Sequence, residues 1–200
     1  MTTQDAEFQR YTKVAIILHW LIAVFIITNL VTGMTMLRPN EVPPYIFQLV
    51  ALHVSSGITV LVLTVVRIAW RLTHRPPPFI STMKTWERKL AHFVHGFIYF
   101  LMAAVPLMAW TFISAFNPPN GKPLDEFVLW GVVRLPFIAP IRGMDDRVAQ
   151  DAIHDFFKPA HAFSAYLLLA LLVLHIAGPL KHQFFDKEKQ LQRMGIGRVD

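Results

Sequence analysis

The chain has 200 residues, 54% of them hydrophobic and only 16% charged, with a mean hydropathy of +0.43, a balance too apolar for an ordinary water-soluble domain. The formal charge of +6 does not argue for nucleic-acid binding, because membrane topology accounts for the basic residues. Cysteine is absent, which excludes disulfides, thiolate-ligated haem and covalent haem attachment through Cys-x-x-Cys-His.

Four windows are long enough to cross a hydrocarbon core of roughly 30 Å, for which about 20 apolar residues are needed. They run approximately 14–36, 49–70, 92–114 and 160–180. Inside a bilayer every backbone amide must be bonded within its own segment, so each window is expected to be a helix. The predicted fold is an all-α, integral membrane four-helix bundle, a single domain over 1–200.

The polar lead 1–13 ends in Lys13, and the first window carries His19, Asn29 and Gly33. It is long and lacks a small-residue cleavage site, so it reads as a retained helix and not a signal peptide. Met34 and Met36, near its end, suit packing or the interface better than metal ligation. "RPNEVPP" at 38–44 is a tight connection to the second window, which holds His53, Gly57 and Arg67, with Arg71 one turn on. "THRPPPFISTMKTWERK", from Thr73 to Lys89, links to the third window and is stiffened by three prolines. His92 and His95 open that window. The long connection 115–159 contains "PPNGKP" and then an apolar run, Phe127 to Phe137, readable as a strand, a short helix or an interfacial segment, with Trp130 suited to the headgroup boundary. The fourth window is bracketed by His161 and His175, and His182 follows two turns later at the expected interface, where it suits a quinone headgroup or a plain surface position. His74 and His154 read as loop residues.

With four spans, the N-terminus, the 71–91 link and the C-terminal tail share one side and carry most of the Lys and Arg, among them Arg10, Lys13, Arg71, Arg75 and Arg198. The opposite side has Arg38, Lys122, Arg134, Arg142, Arg147 and Lys158 spread over a longer length of chain. The positive-inside rule therefore places both termini in the cytoplasm of a multi-pass inner-membrane protein.

Nine histidines are an excess in a chain this apolar, and ionisable groups at membrane depth mark function. Fourteen residues separate His161 from His175, roughly 21 Å of helix with an angular offset of about 40°, so both face one side at opposite depths. His19, early in a helix that starts from the cytoplasm, shares the depth of His175; His53, early in a helix that starts from outside, shares that of His161. Two imidazoles on different helices at one level can grip a flat macrocycle from both faces, and an iron with both axial positions filled passes single electrons and does not readily bind oxygen. His95 is a rival ligand at the cytoplasmic level, and spacing alone cannot choose between it and the others. Arg67 and Arg71 are placed to meet a haem propionate or a quinone headgroup, or serve as snorkelling anchors. Gly33 and Gly57 either admit the porphyrin or mark close helix packing. Other readings are histidines hydrogen-bonded between helices, or a divalent-metal or transport site; the latter would normally recruit carboxylates, and the four windows contain no Asp or Glu.

"RYTKVAIILHWLIA", "ALHVSSGITVLVLTVVRIAWRLTHRPPP", "LAHFVHGFIYFLMAAVPL" and "HAFSAYLLLALLVLHIAGPLKHQFFDKEKQLQRM" resemble the bacterial cytochrome b561 family over nearly the whole chain. The resemblance implies two haem b groups, the cytoplasmic one held by His19 and His175 and the outer one by His53 and His161, and so prefers His19 to His95. The expected activity is electron transfer between an extracytoplasmic donor and the ubiquinone pool, with Lys13, Arg67, Arg71 and His182 expected to help place propionates or quinone. Stand-alone members of the family can act as superoxide:ubiquinone oxidoreductases. Others anchor and relay electrons for a separate redox partner in the periplasm or cytoplasm.

Overall fold

The computed structural model describes residues 9–37, 44–79, 82–117 and 126–197. Most of "RPNEVPP" with Arg38, all of "PPNGKP" with Lys122, and Arg198 lie outside the described residues. Four long helices dominate: α1 (Lys13–Met36), α2 (Ile46–Thr73), α3 (Thr85–Ala115) and α5 (Arg147–Phe184). Each is long and apolar enough to span a membrane. Between α3 and α5 lie β1 (Glu126–Leu129), β2 (Val133–Pro136) and the single turn α4 (Ala139–Arg142), and α6 (Gln190–Arg193) follows α5.

The helices are built as lipid requires. Ile22, Ile26, Val60, Ile98, Leu101 and Leu168 form the bundle core, while Val62, Phe100, Phe163 and Val173 point outward. Hydroxyls at membrane depth bond back onto their own helix, Thr28 to the Val24 carbonyl, Thr64 to Val60 and Ser114 to Trp110, so no donor is left to hydrocarbon there.

The helices extend beyond the apolar windows because polar end groups continue them. Thr12 Oγ1 accepts from the Ala15 amide at 3.3 Å, Glu87 accepts the Lys84 amide at 2.9 Å, and Asp146 accepts the Ala149 amide at 3.1 Å. The largest difference is α5, which starts at Arg147 and not near Ala160, and runs through Pro159 and Pro179. His154 is thus a helical residue and not a loop residue. His74 is the C-cap of α2.

The apolar run of the long connection is an antiparallel hairpin, Phe127 opposite Leu135. Its turn is closed by the Val132 amide on the Leu129 carbonyl at 3.0 Å, with Trp130 and Gly131 both at positive φ, 52° and 73°. Glycine adopts that conformation freely; for Trp130 it costs about 1 kcal/mol or more. Two bonds hold Trp130 there: its amide donates to Ser55 Oγ at 3.0 Å and its indole Nε1 to Thr59 Oγ1 at 3.1 Å. Trp130 therefore docks the hairpin on α2 and does not act simply as a headgroup anchor.

Packing divides the bundle into two halves: α1 lies mainly on α2, and α3 mainly on α5, with α2 and α3 in lesser contact. A seam runs between these two helical pairs. At one end of the bundle the N-terminal lead, the exit of α2 and the C-terminal tail are sewn together, with Arg193 donating to the carbonyls of Gln9 at 2.9 Å and Pro78 at 2.6 Å. The sharing of one end by these three segments agrees with four spans.

Candidate functional site

The four bracketed histidines meet across the seam. His53 on α2 faces His161 on α5 with ring centroids 6.1 Å apart, and His19 on α1 faces His175 on α5 at 6.0 Å. All four rings are only partly exposed. A first-row metal bonded to two opposed imidazole nitrogens at about 2.0 Å each, with roughly 1.1 Å from nitrogen to ring centre, separates the centroids by roughly 6.2 Å. Both pairs fit that spacing. His95 does not: its ring meets His175 edge-on at 4.9 Å, too close to admit a metal between them.

Tautomers are legible at the outer pair. Thr32 spends its hydroxyl hydrogen on the Thr28 carbonyl at 2.7 Å, so its oxygen can only accept from His53 Nδ1, 2.9 Å away. His161 Nδ1 lies 2.9 Å from the Val105 carbonyl, which likewise can only accept. Both rings therefore carry their proton on Nδ1 and keep the Nε2 lone pair for a metal, with partners that fix ring orientation. A Cβ on Gly33 would come within 3.2 Å of His53 Cε1, and one on Gly57 within 3.3 Å of Asn29 Oδ1. Gly33 thus makes room for the imidazole itself, and Gly57 for a helix crossing.

Beside this pair is a cavity of about 830 Å³, near the upper end of the 300–1,000 Å³ usual for cofactor and ligand sites. Its wall is mostly apolar, with both outer histidines, Met34, Met36 and the hairpin residues Phe127 and Leu135 among its lining. His154, Lys158, Arg142, Asn29 and Glu126 add polar groups to it. His154 packs against Phe112 and Phe116 at 5.9 and 5.5 Å and has Nδ1 3.0 Å from Asp155. His154, Lys158 and His161 stand at i, i+4 and i+7 on one face of α5, a periodicity hidden when the helix is taken to begin after Pro159. Thr32, the Val105 carbonyl, His154, Lys158 and Arg142 are the features of this site that sequence reasoning missed.

The inner pair is differently furnished. Arg67 donates through Nε to Tyr99 Oη at 2.8 Å and through Nη1 to the Ala15 carbonyl at 3.0 Å, and its Nη2 lies 3.4 Å from His19 Nδ1. His95 Nδ1 donates to the Ala91 carbonyl at 2.6 Å. Arg71 sits over the Tyr99 ring at 6.0 Å. Arg67 and Arg71 both line a small pocket of about 120 Å³; Lys13 and His182 are not part of its lining. Lys13 is exposed at the start of α1. His182 is buried within the protein: its Nδ1 is 2.6 Å from Asp186, which also takes Lys181 Nζ at 2.6 Å, while Lys181 reaches Glu87 at 2.8 Å. The carboxylate four residues on draws the imidazole into a polar cluster. That hydrogen bond from Lys181 holds the Asp186 carboxyl below its ordinary range.

No cluster of three or more His, Asp or Glu side chains suited to an ion occurs among the described residues. Two protein ligands per level are what an iron already held by four porphyrin nitrogens requires, so the donor set fits haem better than a bare divalent ion.

A sequence model of the prokaryotic cytochrome b561 family matches residues 10–197. Cytochrome b561 homolog 2 of Escherichia coli is 27% identical over 93% of this chain and 91% of its own length. Cytochrome b562 of Cereibacter sphaeroides is 27% identical over 92% of this chain and 94% of its own, and a probable superoxide oxidase, CybB, of Yersinia pestis is 24% identical over 93% and 96%. The chain therefore belongs to the prokaryotic cytochrome b561 family, multi-pass proteins of the bacterial inner membrane that carry b-type haem and transfer electrons.

Proposed function

We propose that the chain is a diheme cytochrome that takes single electrons from an extracytoplasmic donor, with superoxide the favoured candidate, and delivers them to ubiquinone. His53 and His161 hold the outer haem, and His19 and His175 the inner one. The observation that carries this reading is the pair of opposed imidazoles at 6.1 and 6.0 Å on two levels of one seam. A haem held between the two imidazoles of a pair would supply one-electron transfer and not oxygen binding. The residues do the rest: Thr32 and the Val105 carbonyl hold the outer rings in ligating form, and Arg142 and Lys158 outweigh Glu126, the one carboxylate among the described residues of the outer cavity's lining, itself paired with Arg134, which favours approach of an anion. Arg67 and Arg71 offer the inner haem's carboxylates, or a quinone headgroup, cationic partners; Lys13 and His182 act at the same end from outside that pocket. The positive-inside distribution supports a cytoplasmic location for that end.

The balance is two superoxide anions, each losing one electron to become dioxygen, for each ubiquinone that takes up two electrons and two protons. A relative named as a probable superoxide oxidase supports the choice of donor. Rapid mixing of superoxide with the haem-loaded protein and ubiquinone tests it. The expected result is haem reduction that outpaces spontaneous disproportionation, with one quinol formed per two superoxide; superoxide decay at the uncatalysed rate overturns it.

The second reading is a membrane anchor and electron relay for a separate redox protein. Val132 and Val148, 79% and 82% exposed near the outer end, favour it as apolar contact points. A stoichiometric partner on gentle purification from the native membrane supports that reading, and isolation of a fully active chain alone removes it.

A further inference from the structure

The small pocket at the termini end is lined, among the described residues, by four arginines, Arg10, Arg67, Arg71 and Arg75, and by no Asp or Glu. Guanidinium groups stay charged at any physiological pH, so four in one concavity repel each other unless an anion sits among them. Their present bonds do not neutralise them: Arg67 is held by Tyr99 Oη and the Ala15 carbonyl, Arg10 by the Gln192 carbonyl at 3.1 Å, and Arg71 by the Tyr99 ring. Arg75 has neither a hydrogen bond nor an ion pair among the described residues.

The backbone that presents Arg75 is stiff. His74 stacks on Trp70 with centroids 3.7 Å apart and planes 5° from parallel, and the indole Nε1 of Trp70 donates to Thr12 Oγ1 at 3.0 Å. Three prolines follow directly, which holds Arg75 in extended backbone. A charged side chain carried on a stiff backbone beside three like charges, with no partner among the described residues, suits an anion.

We propose that this pocket binds a phosphate group, with Arg75 and Arg10 as its outer ligands and Arg71 shared with the inner site. A water needs about 10–15 Å³, so about 120 Å³ takes a phosphate but not a porphyrin or a ring with a long tail. Two sources carry that chemistry at a membrane surface: the headgroup of an anionic phospholipid and free phosphate. The exposed apolar positions Val65, Ile68 and Leu72, at i, i+3 and i+7 of α2, give a lipid's acyl chain a lane leading away from the arginines. The assignment rests on Arg10 and Arg75, which have no part in the electron-transfer reading, and holds whichever donor supplies the electron.

The test is thermal unfolding and native mass spectrometry of the delipidated, haem-loaded protein in neutral detergent, with phosphatidylglycerol, phosphatidylcholine or inorganic phosphate added. Wild type is expected to gain thermal stability and retain bound lipid with phosphatidylglycerol and not with phosphatidylcholine, and Arg75→Gln to weaken that affinity about fivefold. Stabilisation by inorganic phosphate equal to that by phosphatidylglycerol, and lost in Arg75→Gln, assigns the pocket to soluble phosphate. Equal response to both lipids without any phosphate effect, or an Arg75→Gln protein that binds as wild type does, overturns the proposal. An unchanged haem absorption spectrum in Arg75→Gln shows that the variant is folded and separates this outcome from failure of the haem reading; Arg10→Gln provides the second variant.

Discussion

The two ends of the seam hold the same pair of residue types at nearly the same spacing, 6.1 and 6.0 Å, yet they are built differently. At the outer end each imidazole gives its Nδ1 proton to an oxygen that can only accept, and a wide apolar cavity lies alongside. At the inner end a guanidinium stands 3.4 Å from His19 Nδ1, and a third imidazole packs on His175. The outer level is organised to hold a ligand; the inner level is organised around a fixed positive charge. Haem irons held at both levels, as proposed, would therefore meet different surroundings, which would separate their potentials.

The contrast is broken most severely by removing a ligand. His161→Ala is expected to abolish superoxide-driven reduction of the inner level in proteoliposomes, while His175→Ala leaves the outer haem reducible but stops quinol formation; both are read by absorbance change. His95→Ala should keep both signals, because its ring is not in a metal-spanning position.

The next largest effect is expected from Thr32→Val, which keeps the side-chain shape and leaves the His53 Nδ1 proton unpaired. Loss of such a partner typically costs 10–100-fold in metal affinity. Haem retention during dialysis against apomyoglobin should fall at the outer level alone; equal loss at both levels would contradict the asymmetry.

Arg67→Gln probes the inner field. A cation beside the haem disfavours the ferric state, so its removal should lower the inner midpoint potential, on the order of tens of millivolts after screening, with the outer potential unchanged. Spectroelectrochemical titration reads both at once.

The smallest effect concerns the Asp186 cluster. Its carboxyl lies below the ordinary value of 3.8, through the hydrogen bond from Lys181 first, and His182 adds to it. A depressed carboxyl contributes stability that is complete above its unfolded value and is lost as pH falls through the lower folded one. Asp186→Asn should thus melt slightly below wild type at neutral pH, with the gap closing on acidification below that ordinary value. A constant gap at all pH values would point to packing and not charge.

Most of the bundle was readable from hydropathy because lipid leaves the backbone so few choices, and the paired histidines were readable because helical rise and phase convert spacing into depth and face. What escaped did so for identifiable reasons. Pro159 reads as a helix stop, yet α5 carries it, which conceals that His154 and Lys158 share the face of His161. The burial of His182 against Asp186, four residues on, is not visible in its hydropathy context. Spacing left His95 open as a ligand, and only its ring distance to His175 separates it from the others. The partners of His53 and His161, a threonine on α1 and a carbonyl on α3, come from other helices and leave no local sequence signal.

Haem content per chain, measured by pyridine haemochrome against protein concentration, tests the central claim most directly. Two haems in wild type, one in each of His161→Ala and His175→Ala, and two in His95→Ala is the predicted result; a single haem in wild type, or loss of one on removing His95, would contradict it.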